Sequence, residues 1–225
     1  MKFDRKDVDR LLGRNWNFFV QPSVGLSGGI IVLWRDWVKV KVVHSSRQMV
    51  GLQLEQMGGK IWHCCCIYAS KETATRRIVL QQARKIAELG GPLLVAGDFN
   101  VVMSQEEKKG GKKFSYGPAQ DEFSDFIQEL QLCDLGFIGN RYTWCNNKDG
   151  LARIYERLDR VFLNVDGVSE FTGATVYHLT RLGSDHCPLL IQFSKLELGC
   201  ISRRTQFENA WLHRPQTRCG GNKMA

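Results

Sequence analysis

The spacing of apolar residues changes period several times along the chain, and each change marks an element. Val8, Leu11 and Leu12 recur at helical spacing behind Asp4, a good N-cap, and ahead of Gly13, which predicts a short amphipathic helix. From Gly25 the pattern switches to strands. Residues 30–34, 38–43, 49–54 and 61–68 are apolar or alternating runs broken by Gly-Gly, Arg35-Asp36 and Gly58-Gly59, which predicts hairpins and an antiparallel sheet. A helix follows with Ile78, Val79, Ala83, Ile86 and Leu89 as its core stripe, stopped by Gly90-Gly91-Pro92. Residues 93–96 form a wholly apolar strand that ends abruptly in Gly97-Asp98-Phe99-Asn100. Residues 104–118 are polar and rich in Gly and Lys, the composition of a surface loop.

Phe123, Phe126, Ile127 and Leu130 then sit at i, i+3, i+4 and i+7 and predict a further core-facing helix. Residues 142–145 and 154–155 flank a turn at 146–150, and 161–163, 175–179 and 189–193 are further strand candidates. There is no internal repeat. Strand hairpins with helices outside them predict an α+β sandwich of two mainly antiparallel sheets.

Composition narrows the picture only in places. With 43% apolar and 24% charged residues in 225, the chain has the mix of a globular protein. The net charge is +8, but half of that excess lies in residues 195–225, which read as a basic, linker-like tail behind a domain at 1–194. Charge therefore permits a nucleic-acid partner without arguing for one. No apolar run reaches the roughly 18 residues of a membrane span, and the polar start is no secretory signal. Cys64, Cys65 and Cys66 are consecutive, the other five cysteines are scattered, and no Cys-x-x-Cys pair exists. Reduced thiols packed as small hydrophobes are expected, with the protein in nucleus or cytoplasm and not secreted.

Three segments place polar groups directly beside apolar strands: Gly97-Asp98-Phe99-Asn100, Arg157-Leu158-Asp159-Arg160 and Ser184-Asp185-His186-Cys187-Pro188. Each alone fits a turn or a capped loop. Together they offer carboxylates, a carboxamide and an imidazole, a set suited to phosphate-ester hydrolysis. One or two carboxylates suffice for Mg²⁺, a carboxylate can keep a histidine protonated, and another can activate water.

These segments resemble the endonuclease/exonuclease/phosphatase superfamily, through Val95-Ala96-Gly97-Asp98-Phe99-Asn100, Arg157 to Leu163 and Ser184 to Leu189. Gly25-Leu26-Ser27-Gly28-Gly29-Ile30, Tyr142-Thr143-Trp144-Cys145-Asn146 and the stretch from Arg203 to Leu212 are similar to endonuclease domains of plant non-LTR retrotransposons. The resemblance implies a four-layer α/β/β/α sandwich and a Mg²⁺-dependent (alternatively Mn²⁺-dependent) DNA endonuclease. In that reading Asp98 and Asn100 belong to the water-activating and phosphate-binding centre. Asp159 orients His186, Asp185 binds metal with help from Asp98, and Tyr68 contacts the phosphate. Such domains normally open with a strand bearing an Asn and another ending in a metal-binding Glu. Met1 follows both, so an impaired site is expected, and the reverse transcriptase of a parent element is absent from the chain.

Lys108, Lys109, Lys112 and Lys113 adjoin the expected site and suit phosphate-backbone contact, while a solvated loop is the plainer alternative. Thr143, Trp144 and Ser184 are placed at the nucleic acid. His44, His63, His178 and His213 show no ligand spacing and are read as structural or surface residues. Two other functions fit the same residues: a catalytically dead remnant that binds nucleic acid, and a phosphatase acting on a small phosphate ester.

Overall fold

The computed structural model describes residues 4–23, 29–55, 59–171 and 173–194. The expected tail at 195–225, His213 within it, and most of the glycine motif at 25–30 lie outside the described residues. The first helix, α1 (Arg5–Leu12), forms where its pattern predicts it. Asp4 accepts from the N–H groups of Lys6 and Asp7, Asp7 accepts from the N–H of Asp4, and Gly13 closes the helix at φ +89°.

Next come β1 (Trp16–Gln21), β2 (Ile30–Arg35), β3 (Lys39–Ser45), β4 (Met49–Glu55), β5 (Ile61–Tyr68), α2 (Thr73–Ala87) and β6 (Leu93–Asp98). A 3₁₀ turn (Gln105–Glu107) leads to β7 (Lys108–Lys109), α3 (Pro118–Glu129), β8 (Cys133–Asp134), β9 (Ile138–Gly139), β10 (Trp144–Cys145) and β11 (Tyr155–Glu156). The chain continues through β12 (Asp159–Leu163), α4 (Val165–Glu170), β13 (Gly173–His178) and β14 (Leu189–Ser194).

A six-stranded sheet, ordered β3-β4-β5-β6-β12-β8, forms the centre. It is antiparallel except for the β5–β6 pair, which α2 connects as a crossover. On one face α2 and α3 cover Met49, Cys65, Ile67, Val95 and Phe162, with Phe99 at the middle of an aromatic cluster. The Phe99 ring centroid lies 5.0 Å from Phe123 and 5.4 Å from Phe162. On the other face Phe19, Ile30 and Val32 of the β1–β2 hairpin pack on Val50, Leu52 and Cys64. Cys64 and Cys65 thus serve opposite faces, as strand alternation requires, and the six described cysteines are free thiols. A three-stranded sheet, β14-β13-β9, and the small β10-β11-β7 sheet complete the strand set. The result is an α+β sandwich of mainly antiparallel sheets.

Three expectations need correction. A strand at 16–21 has no counterpart in the sequence reading, yet β1 forms because its aromatic and β-branched residues gain a partner, with Trp16 opposite Arg35. The short helix α4 was also absent from that reading; Asn164 caps it by accepting from the N–H of Gly167 at 2.9 Å. On α2 the stripe is shifted. Ile78 and Leu89 are more than half exposed, and the core face carries Arg76, Val79, Leu80 and Ala83 at i, i+3, i+4 and i+7.

The fold positions a site by register. Parallel pairing sets Tyr68 beside Asp98, and antiparallel pairing sets Asp159 opposite Asp98 on its other side. Gly97, at φ +135°, lets β6 run close to β5, because a Cβ there would sit 2.0 Å from the carbonyl oxygen of Ile67.

Candidate active site

The ends of β6 and β12 bring three of the expected groups together. His186 Nδ1 donates to Asp159 Oδ2 at 2.8 Å, which turns Nε2 toward Asp98, 3.9 Å from its Oδ2. Asn100 holds Asp98 from the other side: its backbone N–H reaches Oδ1 and its carboxamide reaches Oδ2, both at 2.9 Å. The carboxamide also donates to the carbonyl of Ala69 at 2.8 Å, and Asn100 adopts φ +49° to make these contacts.

Burial, and then the neighbouring Asp159, push the Asp98 pKa up to about 6, against the Asn100 N–H, His186 and Lys71. For His186 burial opposes the charge, but the hydrogen bond and charge of Asp159, then Asp98 and Asp185, outweigh it and raise its pKa. Asp185 is exposed; slight burial is overcome chiefly by the Trp144 indole, whose Nε1 donates to Oδ2 at 2.9 Å, and its pKa falls. Tyr68 stands at the strand end beside Asp98, partly exposed.

The remaining expectations divide. Trp144 lies beside the site in a bridge with His186, and Lys71 stands over its ring, 5.7 Å from the centroid. Ser184 is exposed and its Oγ accepts from the His186 N–H at 3.1 Å. Thr143 does not face a ligand. It is wholly buried, and its hydroxyl accepts the N–H groups of both Leu158 and Asp159 at 3.0 Å, so it holds the carboxylate strand instead. The four loop lysines also separate: Lys108 is ion-paired with Glu156, and Lys112 and Lys113 are exposed near the site. Lys109 pairs in register with Tyr155 and lies outside the cavity that the other three line. His63 and His178 are buried and bond to the carbonyls of Gly90 and Asn140, at 3.0 and 2.6 Å, as structural histidines do.

Sequence reasoning missed the scaffold around Asp159. Arg157 and Arg160 are buried and converge on Glu107, which also accepts from the Met103 N–H at 2.8 Å. Arg157 forks onto both oxygens of Asp134 at 2.9 Å. Arginines two and one residues from Asp159, in an apolar context, were the available signal.

The family described as Endonuclease/Exonuclease/phosphatase matches residues 2–186. The chain belongs to the endonuclease/exonuclease/phosphatase family. No curated protein matches the sequence significantly. Among solved structures it is similar to the endonuclease domain of TRAS1, a telomere-specific non-LTR retrotransposon, at 17% identity and TM-score 0.63, covering 82% of each chain. It is likewise similar to the 3′ phosphatase NExo from Neisseria bound to product DNA hairpin, at 14% identity and TM-score 0.63, covering 86% of this chain and 84% of that one. A third is an AP endonuclease from Leishmania major, at 15% identity and TM-score 0.60, covering 86% and 75%. At such identities the likeness shows the fold.

For an endonuclease/exonuclease/phosphatase chain the cluster has a clear chemical capacity. A carboxylate with a pKa near 6 takes protons well around neutral pH, and an imidazolium held charged offsets negative charge on a phosphoryl group. A cation cage is a different matter. Among the described residues no three His, Cys, Asp or Glu groups gather to hold a metal ion. Asp98 is buried and committed to Asn100, which leaves Asp185, exposed and holding the Trp144 hydrogen bond at Oδ2, as the carboxylate that faces solvent. One carboxylate completed by substrate phosphate and water is within the habits of Mg²⁺.

Proposed function

We propose that this chain is a metal-dependent phosphodiesterase that nicks DNA, of the retrotransposon-endonuclease type. The observation that carries the reading is the Asp98–His186–Asp159 cluster, in which one imidazole bonds to one carboxylate and faces another across a β ladder. Asp98 accepts the proton of the attacking water. Asn100 fixes that carboxylate by two hydrogen bonds. Asp159 orients His186 and keeps it charged, so that Nε2 meets the phosphoryl oxygen. Tyr68 offers its hydroxyl to the same phosphate. Asp185 holds Mg²⁺ or Mn²⁺, which supplies Lewis-acid polarisation of the phosphoryl group when bound. Exposed Lys112 and Lys113 and half-buried Trp144 favour a polynucleotide over a small phosphate ester, since they extend the charged and aromatic surface beyond the cluster.

The test is nicking of a supercoiled plasmid by the full chain in Mg²⁺ and in EDTA, with His186→Ala alongside. Nicking that needs Mg²⁺ and falls with the variant is expected. DNA binding without any nicking would replace this reading with a binding remnant, and nicking that survives EDTA would remove the metal.

A further inference from the structure

The end of the central sheet away from the catalytic cluster carries an apolar cavity. It measures about 270 Å³, close to the lower end of small-molecule sites. Leu54, Trp62 and Leu94, on the adjacent strands β4, β5 and β6, line it from the sheet. Trp37 joins from the β2–β3 connection, Phe171 from the end of α4 and Phe193 from β14. Trp62 lies near the start of β5 and Tyr68 ends it, so about 20 Å of strand separates this cavity from the candidate active site.

The lining is built from rings. The Phe171 centroid lies 4.8 Å from Trp62 and 4.5 Å from Phe193, and Phe193 lies 6.3 Å from Trp62. Trp37 is 69% exposed and Phe193 37%, so the mouth is apolar surface that meets solvent. The charged and basic side chains in the wall are engaged: Glu55 is ion-paired with Lys39 at 3.0 Å, and His63 is bonded to the Gly90 carbonyl.

Trp62 is the exception. It is 6% exposed, and its Nε1 has no hydrogen-bond partner. A buried N–H without an acceptor is costly, and an acceptor that reaches it removes the cost. Water fits poorly, because a held water needs two or more polar partners and the described wall offers a single open side-chain donor. A cation fits no better, since the N–H presents its positive end and Glu55 is already neutralised. What suits both the rings and the N–H is a flat apolar body with one acceptor at its edge.

We propose that this cavity binds a small, flat, uncharged aromatic molecule whose one hydrogen-bond acceptor meets Trp62 Nε1. The site is separate from the phosphodiester chemistry and does not depend on it. Trp37 and Phe193 close on the ring of the ligand, and Trp62 fixes its orientation.

The test titrates the full chain with two probes of one shape, quinoline and naphthalene, at neutral pH, where quinoline is uncharged. Quinoline carries a ring-nitrogen acceptor and naphthalene carries none. Binding is followed through the indole N–H signals by NMR, with the Trp62 signal assigned by its loss in Trp62→Phe. Quinoline should bind with a Kd of about 1 mM or tighter, about tenfold tighter than naphthalene, and it alone should move the Trp62 N–H signal downfield. Trp62→Phe keeps an apolar ring without the donor and should bring quinoline down to the naphthalene level. Trp37→Ala changes an exposed residue and should weaken both probes alike. No saturable shift with either probe overturns the site, and equal binding of the two by the parent overturns the acceptor. Binding indifferent to Trp37→Ala also overturns it, because the probes then sit elsewhere. Should Trp62→Phe fail to fold, the ratio of the two probes in the parent and the Trp37→Ala comparison still decide.

Discussion

Asp98 and Asp159 are register partners on antiparallel strands, and the His186 ring bonds to the second while facing the first. Burial and the Asp159 charge so close by raise the cost of ionising Asp98, and the imidazole facing it relieves part of that cost. Asp159→Asn keeps a group of the same shape but removes the charge that holds His186 protonated. Any plasmid-nicking rate should fall by about 10²-fold or more, and the His186 pKa read by NMR should drop. A variant that nicks at the parent rate would take Asp159 out of the site.

Thr143 supports the same strand from below. Its hydroxyl accepts two consecutive backbone N–H groups, at Leu158 and Asp159, where no water reaches. Thr143→Val leaves both donors buried and unpaired, at about 1–3 kcal/mol for such a group, and Thr143→Ser should restore most of the loss. Urea unfolding of the two variants checks this. Equal stability of the Val variant and the parent would show that the N–H groups find other acceptors.

What was legible from sequence follows from local physics. The strand read at 93–96 and the helix read from Phe123, Phe126, Ile127 and Leu130 form, at Leu93–Asp98 and Pro118–Glu129, because their patterns are local and continuous. The Asp98, Asp159 and His186 segments stood out because polar groups break apolar runs. The parallel β5–β6 pairing that sets Tyr68 beside Asp98 could not be read, since register depends on partners far along the chain. Thr143 was misplaced because a buried hydroxyl and a ligand-facing one look alike in sequence. On α2, helical periodicity was sound, but the stripe was chosen through Ile78 and Leu89 when Arg76 takes the core face. Arg76 sits there because backbone carbonyls receive it, and carbonyls carry no sequence signal.

Two groups make stability fall as acid is added, against Asp98 and His186, whose raised pKa values favour the folded state as pH falls. Burial, outweighing the Asn140 carbonyl bond and the nearby carboxylates, lowers the pKa of His178, so the folded state resists its protonation. Its contribution is complete above the free-histidine value of about 6.5 and declines as pH falls below it. Glu107 resists burial through the Arg160 hydrogen bonds and charge, the Met103 N–H and Arg157, and its pKa is lowered. Its contribution is complete above the free-glutamate value of about 4.3 and is lost as pH falls through the lower folded value. The gap in urea midpoint between the parent and His178→Phe should therefore shrink as pH falls below about 6.5, and that between the parent and Glu107→Gln as pH falls below about 4.3. Gaps that stay constant with pH would assign the acid sensitivity to other groups.

The closest backbone approach near the site makes the sharpest stability prediction. Gly97 lies in β6 one residue before Asp98, at φ +135°, and a Cβ there would meet the Ile67 carbonyl oxygen at 2.0 Å and its carbonyl carbon at 2.9 Å. Both are backbone atoms of the adjacent strand, so no side chain can turn aside to make room. Gly97→Ala must push β5 and β6 apart, breaking ladder hydrogen bonds and shifting Tyr68 and Asp98 together. Gly136 separates this overlap from backbone strain alone, because it has φ +64° with no atom within 4 Å of a built Cβ. Gly136→Ala should cost only the left-handed conformation, about 1 kcal/mol. Gly97→Ala should cost about 3 kcal/mol or more, the range of overpacked and strained core changes. Urea unfolding of both variants against the parent decides it. If the two lose similar stability, the contact at Ile67 relaxes freely and the β5–β6 register does not depend on Gly97.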